Sequence, residues 1–204
     1  MTEQDQAQFE EYFQLEHSID VSIETGGPLS ETLAFEEFEQ NIPLPFKLAS
    51  EMKGVEQNML RPLRQLGDVI EPLANYLKAQ SRKIDLMMSY ILQSQEQDSI
   101  KLQTTSYGGG GFVVQTEQTL MPDQLLICKM YFHEDAAAIY CTGRIIENTI
   151  NNDAEPLTQC YKILFEHIRD EDREIVVRAS LHQQSKLLLK KTQTAQLKNS
   201  NDEQ

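Results

Sequence analysis

The residues able to do chemistry are few and scattered. Four consecutive glycines stand at 108–111, four histidines at 17, 133, 167 and 182, and three cysteines at 128, 141 and 160. A glycine run invites a phosphate-cradling loop. No Lys-Ser or Lys-Thr follows it, and no G-x-G-x-x-G opens a helix after a strand. The run therefore reads as backbone geometry, either positive φ or close chain approach where a strand turns. No G-x-S-x-G and no H-E-x-x-H occurs. A hydrolase would need His17, His133 or His167 to meet a nucleophile in a cleft, and no motif arranges that. His17 falls on the apolar face of a strand pattern, which suits a core or edge histidine with one hydrogen-bond partner. Cys128, Cys141 and Cys160 form no close pair, lack zinc spacing and lie in strand-like runs. They read as small buried hydrophobes in a reducing cytoplasm. The expectation is a protein that is not an enzyme, with no metal and no cofactor.

Charge narrows the partners. The net charge is −14 over 204 residues, and residues 1–46 hold 11 Asp or Glu and no Lys or Arg. Nucleic-acid binders carry basic stripes, so that class is excluded. The acidic start lacks an apolar run, so no secretory leader is expected. No stretch reaches the ~18 apolar residues of a membrane span.

The elements that must position any site follow from periodicity. Apolar residues recur at Leu48, Met52, Val55, Met59, Leu63, Leu66, Ile70, Leu73, Leu77, Ile84, Met87 and Ile91, with Gln80 at one skipped place. Steps of three and four place them on one helical face, as narrow as a coiled-coil seam. Pro62 interrupts the spacing and predicts a kink near Arg61. Gly67 ends one helix, and Asp68 with Glu71 reads as a capping box, with Pro72 tolerated in the first turn. Two helices result, at about 47–66 and 69–97. Leu66, Ile70, Leu73, Leu77, Gln80, Ile84, Met87 and Ile91 then form a seam for self-association. Packing on the chain's own domain is the competing reading. Gln80 in the seam would cost stability and fix register.

Around these helices the period is two. Residues 1–12 are expected to be frayed or weakly helical. Phe13, Leu15, Ile19, Val21 and Ile23 share one face of a strand that Gly26, Gly27 and Pro28 end. Ser30 suits the N-cap of a short helix to Gln40, with Ala34 and Phe38 inward and Phe35 as a further inward candidate. Further strands are predicted at 99–105, 112–115, 125–132, 139–146 and 157–165, with a loop over 148–156 and a final helix over 171–190 capped by Asp170. The class is α+β: a small antiparallel β-barrel (1–25 and 99–190), a helical oligomerisation insertion after the first strand (30–97), and a disordered tail (192–204).

The run from Thr104 onward resembles the PilZ domain, the bacterial cyclic-di-GMP receptor barrel. Its signature is (Asp/Asn)-x-Ser-x-x-Gly at the start of a strand. Ser106 and Gly109 match it, and Thr104 stands in place of the acid. GFVVQTEQTLMPDQLLICKMYF, CTGRII and FEHIRDEDREIVVRASL are similar to the family's following strands and terminal helix. The other half of the signature is Arg-x-x-x-Arg ahead of the first strand, where this chain carries Glu10 and Gln14. The resemblance assigns the phosphate and guanine contacts to those arginines, through bidentate and stacking bonds. A glutamate there reverses the sign, so binding of cyclic-di-GMP in the usual way is not expected. Heptad helices after the first strand are similar to the atypical, tetramer-forming branch. That branch implies a cytoplasmic homo-oligomeric adaptor acting through protein partners in signalling. The alternative is a working cyclic-di-GMP receptor whose phosphate contacts come from elsewhere, such as Arg61, Arg64, Arg82 or Lys83.

Overall fold

The computed structural model describes residues 3–28, 34–50, 71–94, 99–122, 124–135, 137–151 and 158–201. Six antiparallel strands close into one barrel. They are β1 (Asp20–Pro28), β2 (Ile100–Gly108), β3 (Gly111–Thr116), β4 (Gln124–Phe132), β5 (Ala137–Asn151) and β6 (Thr158–His167). Their order around the barrel is β1-β2-β3-β6-β5-β4, closed by pairing of β1 with β4. The interior face reads Val21, Ile23, Tyr107, Phe112, Val114, Leu126, Cys128, Met130, Ile139, Cys141, Tyr161, Ile163 and Phe165. These alternate with outward residues along each strand, as the period-two runs predict. Cys128 and Cys141 are buried and reduced, and Cys160 is free and half-buried. Burial pushes the Cys141 thiol well above the usual range, so it stays protonated as a core residue.

Four helices are found among the described residues. These are α1 (Glu3–Glu10), α2 (Phe35–Asn41), α3 (Glu71–Ser94) and α4 (Asp170–Asn201). Residues 44–50 are also helical. Phe38, Ile42 and Phe46 seat the start of the insertion on Tyr131, Ala138 and Tyr140, outside β4 and β5. Helix α4 closes the barrel with Val176 and Ala179 in the main core.

A polar lock joins the two. Arg169 Nε donates to Asp172 Oδ2 at 2.7 Å, and its Nη2 donates to Ser50 Oγ at 2.9 Å, while the Ser50 hydroxyl donates to Asp172 Oδ1. Asp172 is fully buried. Desolvation pushes its carboxyl up, against the opposing pull of Arg169.

Several expected boundaries move. The first strand starts at Asp20, not Phe13. Residues 13–19 touch β2 through the Leu15–Tyr107 bridge and the backbone bond from Thr104 to Ile19, and take side-chain hydrogen bonds where a ladder would stand. Residues 3–10 form a regular helix, held by a buried Phe9 that composition alone undersells. Helix α2 begins after Ala34 with no side-chain cap, and the expected cap Ser30 lies outside the described residues. Phe38 is buried as expected, whereas Ala34 and Phe35 are exposed, because the helix has one turn of contact with β4 and β5 through Phe38. Strand β5 runs to Asn151, because Asn148 to Asn151 pair with β6 although three of the four side chains are polar and Ile150 is exposed. Helix α4 passes the expected end at 190 and continues to Asn201, through a segment expected to be disordered. That segment holds Lys, Gln and Ala with no Pro or Gly, so propensity sustains the helix where no apolar stripe does. Asp170 opens this helix within its first turn. The predicted helix over 47–66, with its kink at Pro62, falls mostly outside the described residues.

Candidate functional site

Thr104, Ser106 and Gly109 sit where the N-terminal segment crosses the β2–β3 hairpin. Gly109 and Gly110 form the turn, with Gly108 paired to Gly111. The reason for glycine is close approach. A Cβ on Gly109 would collide with the Tyr12 ring and with Val177, and one on Gly110 would lie 2.7 Å from the Phe9 carbonyl oxygen. Arg173, from α4, donates to the Gly109 carbonyl and places its guanidinium 5.4 Å from the Tyr12 ring centroid. The hairpin is thus covered by the chain itself, between Tyr12 on one side and α4 on the other.

Each predicted position has a definite place. Thr104 is 2% exposed. Its Oγ1 accepts the Ile19 N–H at 3.1 Å and donates to the His17 carbonyl at 3.0 Å. Its backbone N–H donates to the Ile19 carbonyl at 3.0 Å. A threonine hydroxyl both accepts and donates, whereas a carboxylate only accepts. The residue in the acid's place is therefore one that staples the 17–19 segment to β2. Ser106 is half-buried opposite Val113, beside a register shift in β2. Gln14 lies against Gly108, with both amide heteroatoms buried and unbonded among the described residues. Glu10 ends α1 and is exposed. Glu10 stays apart from the Thr104 staple, and neither Glu10 nor Gln14 supplies a cation.

A second feature escaped the sequence reading. A cleft of about 290 Å³ opens beside β1 and β2, lined by His17, Asp20, Gln103, Tyr131, His133 and Gln183 among others. Asp20 Oδ2 lies 2.8 Å from His133 Nε2, and Gln103 Nε2 donates to Asp20 Oδ1 at 3.1 Å. Asp135 faces His182 at 3.1 Å. The Gln103 amide, then His133, hold the Asp20 carboxyl below its ordinary range. Two carboxylates make this cleft a poor seat for a phosphodiester. The hint was available only as cross-strand register: Asp20 stands opposite Gln103 and Tyr131, two residues from His133. Among the described residues no cluster of three or more His, Cys, Asp or Glu can hold a metal ion.

The apolar stripe on α3 is exposed. Leu73 is 52% exposed, Leu77 38%, Ile84 43%, Met87 58% and Ile91 39%. Gln80 is exposed with them, as are Arg82 and Lys83. Leu66, Ile70, Arg61 and Arg64 lie outside the described residues. No described helix is long and apolar enough to cross a membrane.

By sequence, no family model and no characterised protein matches the chain. By structure, a tetrameric PilZ domain from Xanthomonas campestris superposes with a TM-score of 0.53 at 9% identity, covering 93% of this chain and 99% of that one. The chain has a PilZ-like fold. That relative is described as self-assembled through an unusual helical bundle. The Bacillus subtilis inhibitor of motility MotI/DgrA matches with a TM-score of 0.45 at 9% identity over 86% of this chain. The chain spans about half the length of that protein, 51%. The PilZ domain of Escherichia coli YcgR, solved with cyclic-di-GMP, matches with a TM-score of 0.38 at 7% identity over 48% of this chain. In this barrel the N-terminal segment lies across the hairpin that carries Thr104 to Gly109.

Proposed function

We propose that this chain is a non-enzymatic PilZ-like adaptor that self-associates through α3 and acts in cyclic-di-GMP-related signalling through protein contacts. On this reading it does not take the dinucleotide by the usual motif. The observation that carries it is the exposed stripe of Leu73, Leu77, Ile84 and Met87 at heptad spacing on one helix. Exposed apolar rows of this kind mark an interface, and each Leu or Ile covered by a neighbour contributes about 1.5–3 kcal/mol. The helical-bundle assembly named for the Xanthomonas protein supports a tetramer. Loss of nucleotide binding is supported by the Thr104 staple, the covered glycine turn and the absence of arginine at positions 10 and 14. Size-exclusion chromatography with light scattering tests the assembly, and a monomer at micromolar concentration sinks it. Calorimetry with cyclic-di-GMP tests the second half, and saturable micromolar binding would instead favour a receptor.

A further inference from the structure

Outside β3, β6 and β5 lies an apolar patch separate from the barrel core, made of Ile146 and Leu164 with Val113 at its edge. A single aromatic, Phe9 of α1, covers it and leaves Leu164 only 1% exposed. Two cations border the patch. Arg144 gives Nε to Glu166 and Nη2 to Asp5, both at 2.7 Å. Lys162 donates to Glu147 at 2.5 Å and to Gln6 at 3.4 Å, and lies 5.5 Å from the Phe9 ring centroid. We propose that this face is a helix-docking groove, held closed by α1, and fitted to an acidic helix of a partner protein that carries a carboxylate and an aromatic residue four places apart.

Three observations support an exchangeable occupant. Asp5 and Phe9 stand at i and i+4, on one face of α1, so the groove reads a two-point code. Helix α1 has 8 residues. That is below the ~12–15 needed for an isolated helix, so the groove itself holds it folded. Residues 11–14 form no strand, and the first backbone pairing to the barrel is at Leu15. Helix α1 can therefore leave without breaking a barrel ladder. When it does, Glu166 and Glu147 still sit on Arg144 and Lys162, which leaves the second edge of the Arg144 guanidinium for one incoming carboxylate. The acidity of α1 itself, Glu3, Asp5 and Glu10, sets the class of its competitor.

The test uses a fluorescent peptide with the sequence of residues 3–14 as probe, added to the full chain. Polarisation should show weak binding to wild type. Binding to the full chain with Asp5→Asn and Phe9→Ala, which loosens the resident helix and leaves the groove intact, should be at least tenfold tighter. Adding Arg144→Glu to that chain should abolish binding, and a peptide with Lys in place of Asp5 should restore it. Asp5→Asn alone, which leaves Phe9 in place, should give an intermediate gain. Equal binding to wild type and the loosened chain, or indifference to Arg144→Glu, overturns the proposal. A fall in particle mass on adding peptide would make a second copy the occupant, and would overturn the assignment to a partner protein.

Discussion

Thr104 offers the sharpest test of how the 17–19 segment is held to the barrel. Thr104→Val keeps the shape of the side chain and removes only the hydroxyl. Two backbone groups then lose a partner, the Ile19 N–H at 3.1 Å and the His17 carbonyl at 3.0 Å. The site is 2% exposed, so water has little room to replace the bonds. A buried polar group left unpaired costs about 1–3 kcal/mol, and the added methyl returns ~1 kcal/mol. Two such groups, less the methyl, give an expected loss of about 1–5 kcal/mol. Thr104→Ser should stay near wild type, and Thr104→Asp should lose more than Val, since a carboxylate has no proton for the His17 carbonyl and is costly to bury. Urea unfolding measures the loss, and amide exchange at Ile19 localises it. If Thr104→Val unfolds within 0.5 kcal/mol of wild type (about the spread of a neutral surface change), the hydroxyl is not a staple and the reasoning fails.

Other consequences follow from the same geometry. Leu77→Asp with Ile84→Asp should lower the particle mass by light scattering and leave the near-ultraviolet circular dichroism of the barrel unchanged, because both side chains are exposed in one chain. A double variant at wild-type mass places the seam elsewhere. Arg169→Met leaves Asp172 fully buried beside Ser50 with no cation, and should destabilise the fold by about 3–5 kcal/mol in urea; a change under about 1 kcal/mol would refute the lock. The lowered pKa of Asp20 makes its contribution to stability present above its unfolded value of about 3.9 and lost as pH falls through the folded value. Its side chain is 49% exposed, so the effect is a fraction of a kcal/mol. Gln103→Ala should raise the Asp20 titration midpoint in a carboxyl NMR titration, and an unmoved midpoint would rule Gln103 out as the main cause.

What could be read in advance was what depends on local period. The runs at 125–132 and 157–165 became β4 and β6 almost in place, because alternating or continuous apolar residues leave few other ways to bury them. The glycine run was legible as backbone geometry, positive φ or close approach, though the residues that press on it come from elsewhere: Phe9 from α1, Tyr12 from the segment after it and Val177 from α4. Long-range partners were not legible. Nothing local tells Thr104 that its hydroxyl will meet the 17–19 backbone, or Asp172 that Ser50, 122 residues away, will bond to it. The first strand was read too early because residues 13–19 alternate without pairing as a ladder, and the final helix too short because propensity sustains it past its apolar face. Helix α1 was undersold because one buried phenylalanine in an acidic segment looks like no core at all.

On the proposed reading, contacts between copies of the chain stand in for binding of the dinucleotide. Particle mass by light scattering, taken with and without saturating cyclic-di-GMP, tests it most directly. The expected result is a multimer, four chains if the Xanthomonas assembly is a guide, with a mass that the dinucleotide does not change. A single chain of 23.4 kDa, or a mass that shifts on adding the dinucleotide, would contradict it.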